Sequence, residues 1–260
     1  MIEKCALILI TGDRTDFIDY SIKCCENIIK KFNNNIEIDI FLISFNDNVV
    51  SNYNIKFIKF EKPDINSDFI LNFPRSNQQL NSDIETIKRV SFGHSILFGL
   101  VPDKIFENKE IFSKYDYILK SRSDLIFDIE DKYLEEFNQL DEILTFECFW
   151  GGCRYNNQYT NDHFVFGKSE DVLKLISFPI QDCILDRFWN PEQYMTFLYN
   201  NVKKKKIEMS TNKYYLLSSD RKSRKFIGYP MEKINEEDSI FIKNMGIDFD
   251  KLKLTDTYDF

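Results

Sequence analysis

The run Cys5-Ala6-Leu7-Ile8-Leu9-Ile10 constrains this chain more than any other feature, because it is continuously apolar. A strand with one face in water alternates polar and apolar residues. An unbroken run bounded by a polar turn is instead a strand buried on both faces, as in a parallel sheet covered by helices. Thr11-Gly12-Asp13-Arg14-Thr15-Asp16 ends the run, and Phe17, Ile18, Ile22, Cys25, Ile28 and Ile29 then recur at helical spacing as far as Asn33-Asn34-Asn35. Ile36 to Phe45 is a second β-rich run, and Ile55 to Phe60 a third, closed by Pro63. This opening predicts an α/β fold with a mixed, mostly parallel central sheet flanked by helices.

Further along, Asp64 to Ser82 is polar and irregular and reads as a long loop of the kind that carries function. A helix is predicted from Asp83 to about Leu100, stopping at Pro102. Tyr115 to Lys120 reads as another buried strand, continued by Leu125 to Phe127 after Ser121-Arg122-Ser123-Asp124. Leu134 to Leu140 suggests a short helix, Ile143 to Phe149 and His163 to Phe166 strands, and Lys168 to Ile176 and Glu192 to Asn201 helices. Lys203 to Lys206 and Arg221 to Lys225 are basic, whereas Glu232 to Asp259 is mostly acidic, and no Gly/Ser linker sets them apart. The expected organisation is a single domain, with a core over 1–202 and a C-terminal appendage over 203–260.

Composition excludes several classes. The net charge of −8 argues against a general nucleic-acid binder, which needs an excess of Lys and Arg. Two histidines, His94 and His163, cannot make a multi-His metal site. No apolar run reaches the roughly 18 residues that span a bilayer. The start, Met1-Ile2-Glu3-Lys4, lacks the apolar stretch of a secretion signal, so a cytoplasmic location is expected. Cys5, Cys24, Cys25, Cys148, Cys153 and Cys183 are expected to be reduced and structural, since a chain of this size does not depend on disulfides. The 25 Phe and 13 Tyr read as core filling rather than a binding stripe.

Chemistry concentrates where the strand Tyr115 to Lys120 runs into Arg122 and Asp124, so that charged groups emerge at its carboxyl end. Open α/β sheets bind ligands at that end. A carboxylate there can ligate a divalent cation bridging a diphosphate, and a nearby Arg can pair with phosphate oxygens. The alternative is a solvated strand end with a local Arg–Asp ion pair. The first loop, Thr11-Gly12-Asp13-Arg14, is placed to hold the base and ribose of a nucleotide, or else supplies a helix N-cap from Asp13, Thr15 or Asp16. It is not a G-x-G-x-x-G fingerprint, which disfavours a dinucleotide dehydrogenase.

The run Ile118-Leu119-Lys120-Ser121-Arg122-Ser123-Asp124 resembles the K-x-R-S-D element of the WavE lipopolysaccharide-synthesis family. Asn161-Asp162-His163-Phe164-Val165-Phe166-Gly167, followed by Asp171, is similar to its D-x-F-x-F-G segment, and Pro191-Glu192-Gln193-Tyr194 to its P/A-E-Q-Y helix start. The resemblance covers roughly residues 85 to 200. Its N-R-Q element has only a partial counterpart in Lys88-Arg89-Val90-Ser91, and the commoner D-x-D of such enzymes is reduced to one acid. The resemblance implies a GT-A-like, Rossmann-like glycosyltransferase. Asp124 would then be the metal or donor-sugar ligand, with manganese or magnesium as the cation. Arg122, and more weakly Lys120, would neutralise the nucleoside-diphosphate leaving group. Asp162, or secondly Glu192, would be the base that deprotonates the acceptor hydroxyl. Glu192 has a competing role, since carboxylates stabilise helix N-termini. His163 reads either as a partner of Asp162 or as a packed residue beside Phe164, and Trp150 either as a sugar platform or as core.

The leading expectation is transfer of a sugar from a nucleotide-sugar donor to a surface polysaccharide, lipopolysaccharide or capsule precursor, or lipid-linked glycan. One alternative is a sugar- or nucleotide-binding protein of the same fold without turnover. Another is a nucleotidyltransferase, for which only Gly12 and Arg14 speak. The basic runs Lys203 to Lys206 and Arg221 to Lys225 suggest weak peripheral association with the inner face of a membrane.

Overall fold

The computed structural model describes residues 2–12, 14–46, 48–73, 83–137, 142–147, 160–185, 198, 202–207, 212–217, 223–225 and 234–252. Its first strand, β1 (Lys4–Ile10), is buried along nearly its whole length, and the two sides of that strand feed different clusters. Cys5, Leu7 and Leu9 face one apolar cluster, whereas Ala6, Ile8 and Ile10 face the other. Alternation thus survives in space although it is invisible in sequence, because both faces are covered.

α1 (Ile18–Phe32) packs on the first cluster through Ile18, Ile22, Cys24, Cys25, Ile28 and Ile29, with Asp19 in its first turn and Lys30 and Lys31 in its last, as its macrodipole favours. β2 (Glu37–Ser44) and β3 (Ile55–Lys59) follow in parallel. The long polar loop contains a short helix, α2 (Asp68–Asn72), capped by Ser67 and held down by buried Ile70 and Phe73.

The helix predicted to stop at Pro102 runs on. α3 (Ile84–Ser95), capped by Asp83, passes into a π-helical turn (Ile96–Leu100) and resumes as α4 (Val101–Glu107). The Val101 N–H reaches back to the Ile96 carbonyl, so the wider turn absorbs the register. Pro102 then falls in the first turn of α4, where its missing N–H is tolerated. α5 (Lys109–Phe112) leads into β4 (Tyr117–Arg122), which pairs in parallel with β1.

Beyond β4 the chain crosses to a second sheet through β5 (Leu125–Asp128). α6 (Asp131–Glu135) begins three residues earlier than the helix expected from Leu134, since Tyr133 and Leu134 supply its buried side. β6 (Glu142–Glu147), β7 (Thr160–Lys168), α7 (Ser169–Ile176) and α8 (Ile180–Leu185) complete this half. Residues 203–260 contribute β8 (Lys203–Ile207), β9 (Lys213–Leu216), β10 (Arg224–Lys225) and α9 (Glu236–Asn244).

The main sheet has the order β3-β2-β1-β4-β7-β6-β8, with β7 alone antiparallel to its neighbours. The mixed, mostly parallel sheet flanked by helices that the sequence predicts is therefore present. The basic run Lys203 to Lys206 is an edge strand of this sheet, with Lys205 paired to Glu136. β5, β9 and β10 form the small antiparallel sheet. Tyr214, Tyr215, Ile242, Ile247 and Leu252 join the same apolar cluster as α1, so the C-terminal segment shares the core of the N-terminal one.

Candidate active site

Leaving β1, the chain winds outward through β2 and β3, whereas β4 lies on the other side of β1. The winding direction reverses between β1 and β4, and open α/β sheets leave a binding crevice at the carboxyl ends of the strands flanking such a point. Ile10 and Arg122, the last residues of the two strands, are register partners there. A cavity of about 570 Å³ opens above them. Its wall takes Thr11, Gly12 and Arg14 from the first loop and Arg122 and Asp124 from the end of β4. Lys62 to Ile65 follow β3, and Arg89, Phe92, Gly93, Ile96 and Leu97 project from α3 and the π-turn.

Asp124 is the charge centre of this wall. Its side chain is only 3% exposed, yet it is fully engaged. Arg122 grips it in a fork, with Nε donating to Oδ1 at 2.8 Å and Nη2 to Oδ2 at 2.9 Å, and Arg14 Nη1 donates to Oδ2 at 2.7 Å. Burial by itself pushes the Asp124 carboxyl up, but the two guanidiniums outweigh it and hold the group well below the usual carboxylate range.

The backbone that carries these charges is tied to both sheets. Ser123 N–H donates to the Ile10 carbonyl, and Leu217 N–H, just past β9, donates to the Asp124 carbonyl at 2.9 Å. Ser21 Oγ donates to the Arg122 carbonyl. Thr11 Oγ1 and Ser123 Oγ both donate to the carbonyl of Arg14, at 3.0 and 2.5 Å, which locks the first loop against β4. Gly12 has a steric reason: a Cβ there would stand 3.2 Å from the Phe45 ring. The capping role considered for this loop is not seen, because the N-cap of α1 is Phe17, without a side-chain cap bond. Asp13 lies outside the described residues.

Thr11, Gly12, Arg14, Arg122 and Asp124 thus line one cavity. Lys120 is not among the cavity-lining residues; it is 5% exposed within β4. Asp162 belongs to the backbone of β7, but its side chain, like Glu192 and Trp150, lies outside the described residues. His163 is buried and stacks on Tyr214, with Nδ1 2.6 Å from the Tyr214 hydroxyl and Nε2 3.5 Å from Arg122 Nη1. It therefore backs the Arg122 fork from behind. Cys5, Cys24 and Cys25 are buried free thiols, and burial pushes Cys24 up to about 12. Cys148, Cys153 and the side chain of Cys183 are outside the described residues.

Sequence reasoning missed Lys62, Arg89 and Phe92. Lys62 sits over the Phe45 ring, 5.3 Å from its centroid. Arg89 is exposed and has no hydrogen-bond or ion-pair partner among the described residues. The partial match Lys88-Arg89-Val90-Ser91 was the one available signal for it; nothing local marked Lys62.

A divalent cation at this site would need hard oxygen ligands, and the donor set among the described residues does not fit one. Both oxygens of Asp124 already accept from guanidiniums, so a cation would have to approach two positive groups. The other acid among the described lining residues, Asp64, is exposed and accepts from the Asn66 N–H. Among the described residues no group of three or more His, Cys, Asp or Glu side chains could hold a metal ion.

No family model and no curated protein matches the chain. Among solved structures it is similar to the galactosyltransferase LgtC in complex with donor and acceptor sugar analogues, with 9% identity over 76% of this chain and 72% of that one at a TM-score of 0.38. A Drosophila galactosyltransferase 7 mutant in complex with manganese, UDP-Gal and xylobiose is 12% identical over 79% of this chain and 65% of that one, at 0.38. The glycosyltransferase GlyE of Streptococcus pneumoniae is 11% identical over 77% and 44%, at 0.36. With TM-scores this low, the function has to come from the residues of the site.

Proposed function

We propose that the chain is a GT-A-like glycosyltransferase whose nucleoside-diphosphate sugar binds in the cavity at the carboxyl ends of β1 and β4. The observation that carries this reading is the concentration of Arg14, Arg89, Arg122 and Lys62 around one cavity at the reversal point of the sheet, on a chain of net charge −8. Such a wall selects a polyanionic ligand, and its position is the one that nucleotides take in open α/β sheets. Phe92, Ile96 and Leu97 supply an apolar side against which a base or sugar can lie.

In the transfer step the bond between the anomeric carbon and the diphosphate breaks, and a bond from the acceptor hydroxyl oxygen to that carbon forms. The hydroxyl proton passes to a carboxylate, and the negative charge stays on the leaving diphosphate. Asp162 is our first assignment for that base and Glu192 the second. Arg14 and Arg122 stabilise the leaving group through N–H donors that are already oriented before reaction.

Lys120 to Asp124, Asp162 to Gly167 and Pro191 to Tyr194 support placing the chain beside the WavE-type transferases, with a surface polysaccharide or lipid-linked glycan as acceptor. No family model matches, so this finer placement rests on the motifs alone. Peripheral association with an anionic leaflet is part of the same reading, with the sheet-edge lysines Lys203 to Lys206 as the contact.

Nucleotide release from a mixed panel of UDP-, GDP-, CDP- and ADP-sugars, with glycan acceptors present, tests the assignment. Release that depends on acceptor supports it. Saturable binding of a nucleotide without release across the panel favours the second reading, a binding protein of the same fold. The lack of an uncompensated buried acid among the described lining residues speaks for that reading.

A further inference from the structure

We propose that Arg14 and Arg122, positioned by the buried carboxylate of Asp124, take the place of a divalent cation at the donor diphosphate, so that nucleotide binding here needs no metal ion. This rests on the nucleotide-sugar reading above and specifies the electrostatics of the same site.

A nucleoside diphosphate brings at least two negative charges into the cavity, and something must compensate them. In a metal-using site the protein supplies surplus carboxylates, which the cation converts into a positive surface. Here the balance is inverted. Among the described residues the lining holds four basic side chains and two acids, and one of those acids, Asp124, already accepts three guanidinium hydrogen bonds. A cation entering this wall would meet like charge, whereas a diphosphate meets donors.

The donors have capacity left. A guanidinium carries five N–H groups, and Arg14 gives Asp124 a bond through Nη1 alone, with no other side-chain partner among the described residues. Arg89 has none at all among them, and Lys62 is steered by the Phe45 face rather than by an acid. Planar forks suit phosphate oxygens, which they engage two at a time.

Asp124 acts through these residues. Without an anion between them, two guanidiniums this close would repel and swing apart. The carboxylate binds both within 2.9 Å and fixes their relative angle, and the Thr11 and Ser123 hydroxyls fix the Arg14 backbone behind them. Because both arginines hold its carboxyl far below the usual range, it stays ionised at any working pH. Asp124 is therefore a positioning residue, and the strand-end acid serves arginines instead of a metal.

Isothermal titration of the full chain with UDP, GDP, CDP and ADP, once in excess EDTA and once in manganese, tests this directly. We expect at least one nucleotide to bind in EDTA with a Kd less than about tenfold weaker than in manganese. Arg14→Gln should weaken that EDTA-state binding by about tenfold or more, as loss of a charge-assisted phosphate contact does. Arg14 is the more exposed of the pair, so a folded variant is expected, with circular dichroism as the check. Binding that tightens more than tenfold with manganese, or an Arg14→Gln variant that binds as wild type, overturns the cation-free cradle and leaves the transferase reading standing. Absence of binding in both buffers overturns the two together.

Discussion

Replacing Asp124 with Asn keeps the shape of the side chain but removes the charge and turns one acceptor oxygen into a donor facing a guanidinium. In the structure that carboxylate accepts from Arg122 Nε, Arg122 Nη2 and Arg14 Nη1 at 2.7–2.9 Å, at 3% side-chain exposure. Removing one partner of a buried ion pair costs about 3–5 kcal/mol. The arginine side chains are 15% and 25% exposed and reach the cavity solvent, so the lower end, about 3 kcal/mol, is the appropriate figure. For a chain of this length that corresponds to a fall in Tm of about 6–12 °C. The pH dependence has a definite sign. The folded carboxyl lies below its unfolded value of about 4, so its contribution is fully present above that value and is lost as pH falls toward the folded pKa. Thermal melts of wild type and Asp124→Asn from neutral to acid pH should therefore show a gap that is constant above about pH 5 and narrows below about pH 4. A variant that melts within about 1 °C of wild type at neutral pH, or a gap that widens on acidification, would falsify the account of Asp124 as the shared counter-ion.

Arg89→Gln removes an exposed group without an internal partner among the described residues, so stability should stay within about 0.5 kcal/mol while nucleotide affinity falls, read by paired melts and titrations. Gly12→Ala places a methyl 3.2 Å from the Phe45 ring; the ring must shift, with a cost of about 1–3 kcal/mol and weaker nucleotide binding, and an unchanged melt would show that Phe45 yields freely. Tyr214→Phe leaves buried His163 Nδ1 without its hydroxyl partner, for which about 1–3 kcal/mol of destabilisation by urea unfolding is expected. Sedimentation with anionic vesicles should show binding at low salt that disappears at high salt if the Lys203 to Lys206 edge meets a membrane, and salt-indifferent binding would exclude electrostatic docking.

Much of the fold was legible because burial leaves a local trace. The continuous apolar strand at Cys5–Ile10, the helical spacing from Ile18 to Ile29 and the strand ending in Arg122 each report on their own surroundings. Local pattern failed where a distant partner decides the outcome. Pro102 reads as a helix end, yet a π-turn upstream lets the helix pass. Lys203 to Lys206 reads as a basic run in a C-terminal appendage, yet it pairs with β6 in the main sheet, because backbone hydrogen bonds of an edge strand do not depend on side-chain polarity.

The site divides in the same way. Sequence alone determined that Arg122 and Asp124 sit at a strand end, since two residues of spacing fix that, and it pointed to Gly12 and Arg14 by their place after β1. Only tertiary structure decided that Arg14, 110 positions away in the chain, closes on Asp124, and that Lys62 and Arg89 face the same cavity. It also decided what Asp124 is for. A carboxylate's role depends on which charges stand within a few ångströms of it, and the fold, by setting β1 beside β4, put guanidiniums there.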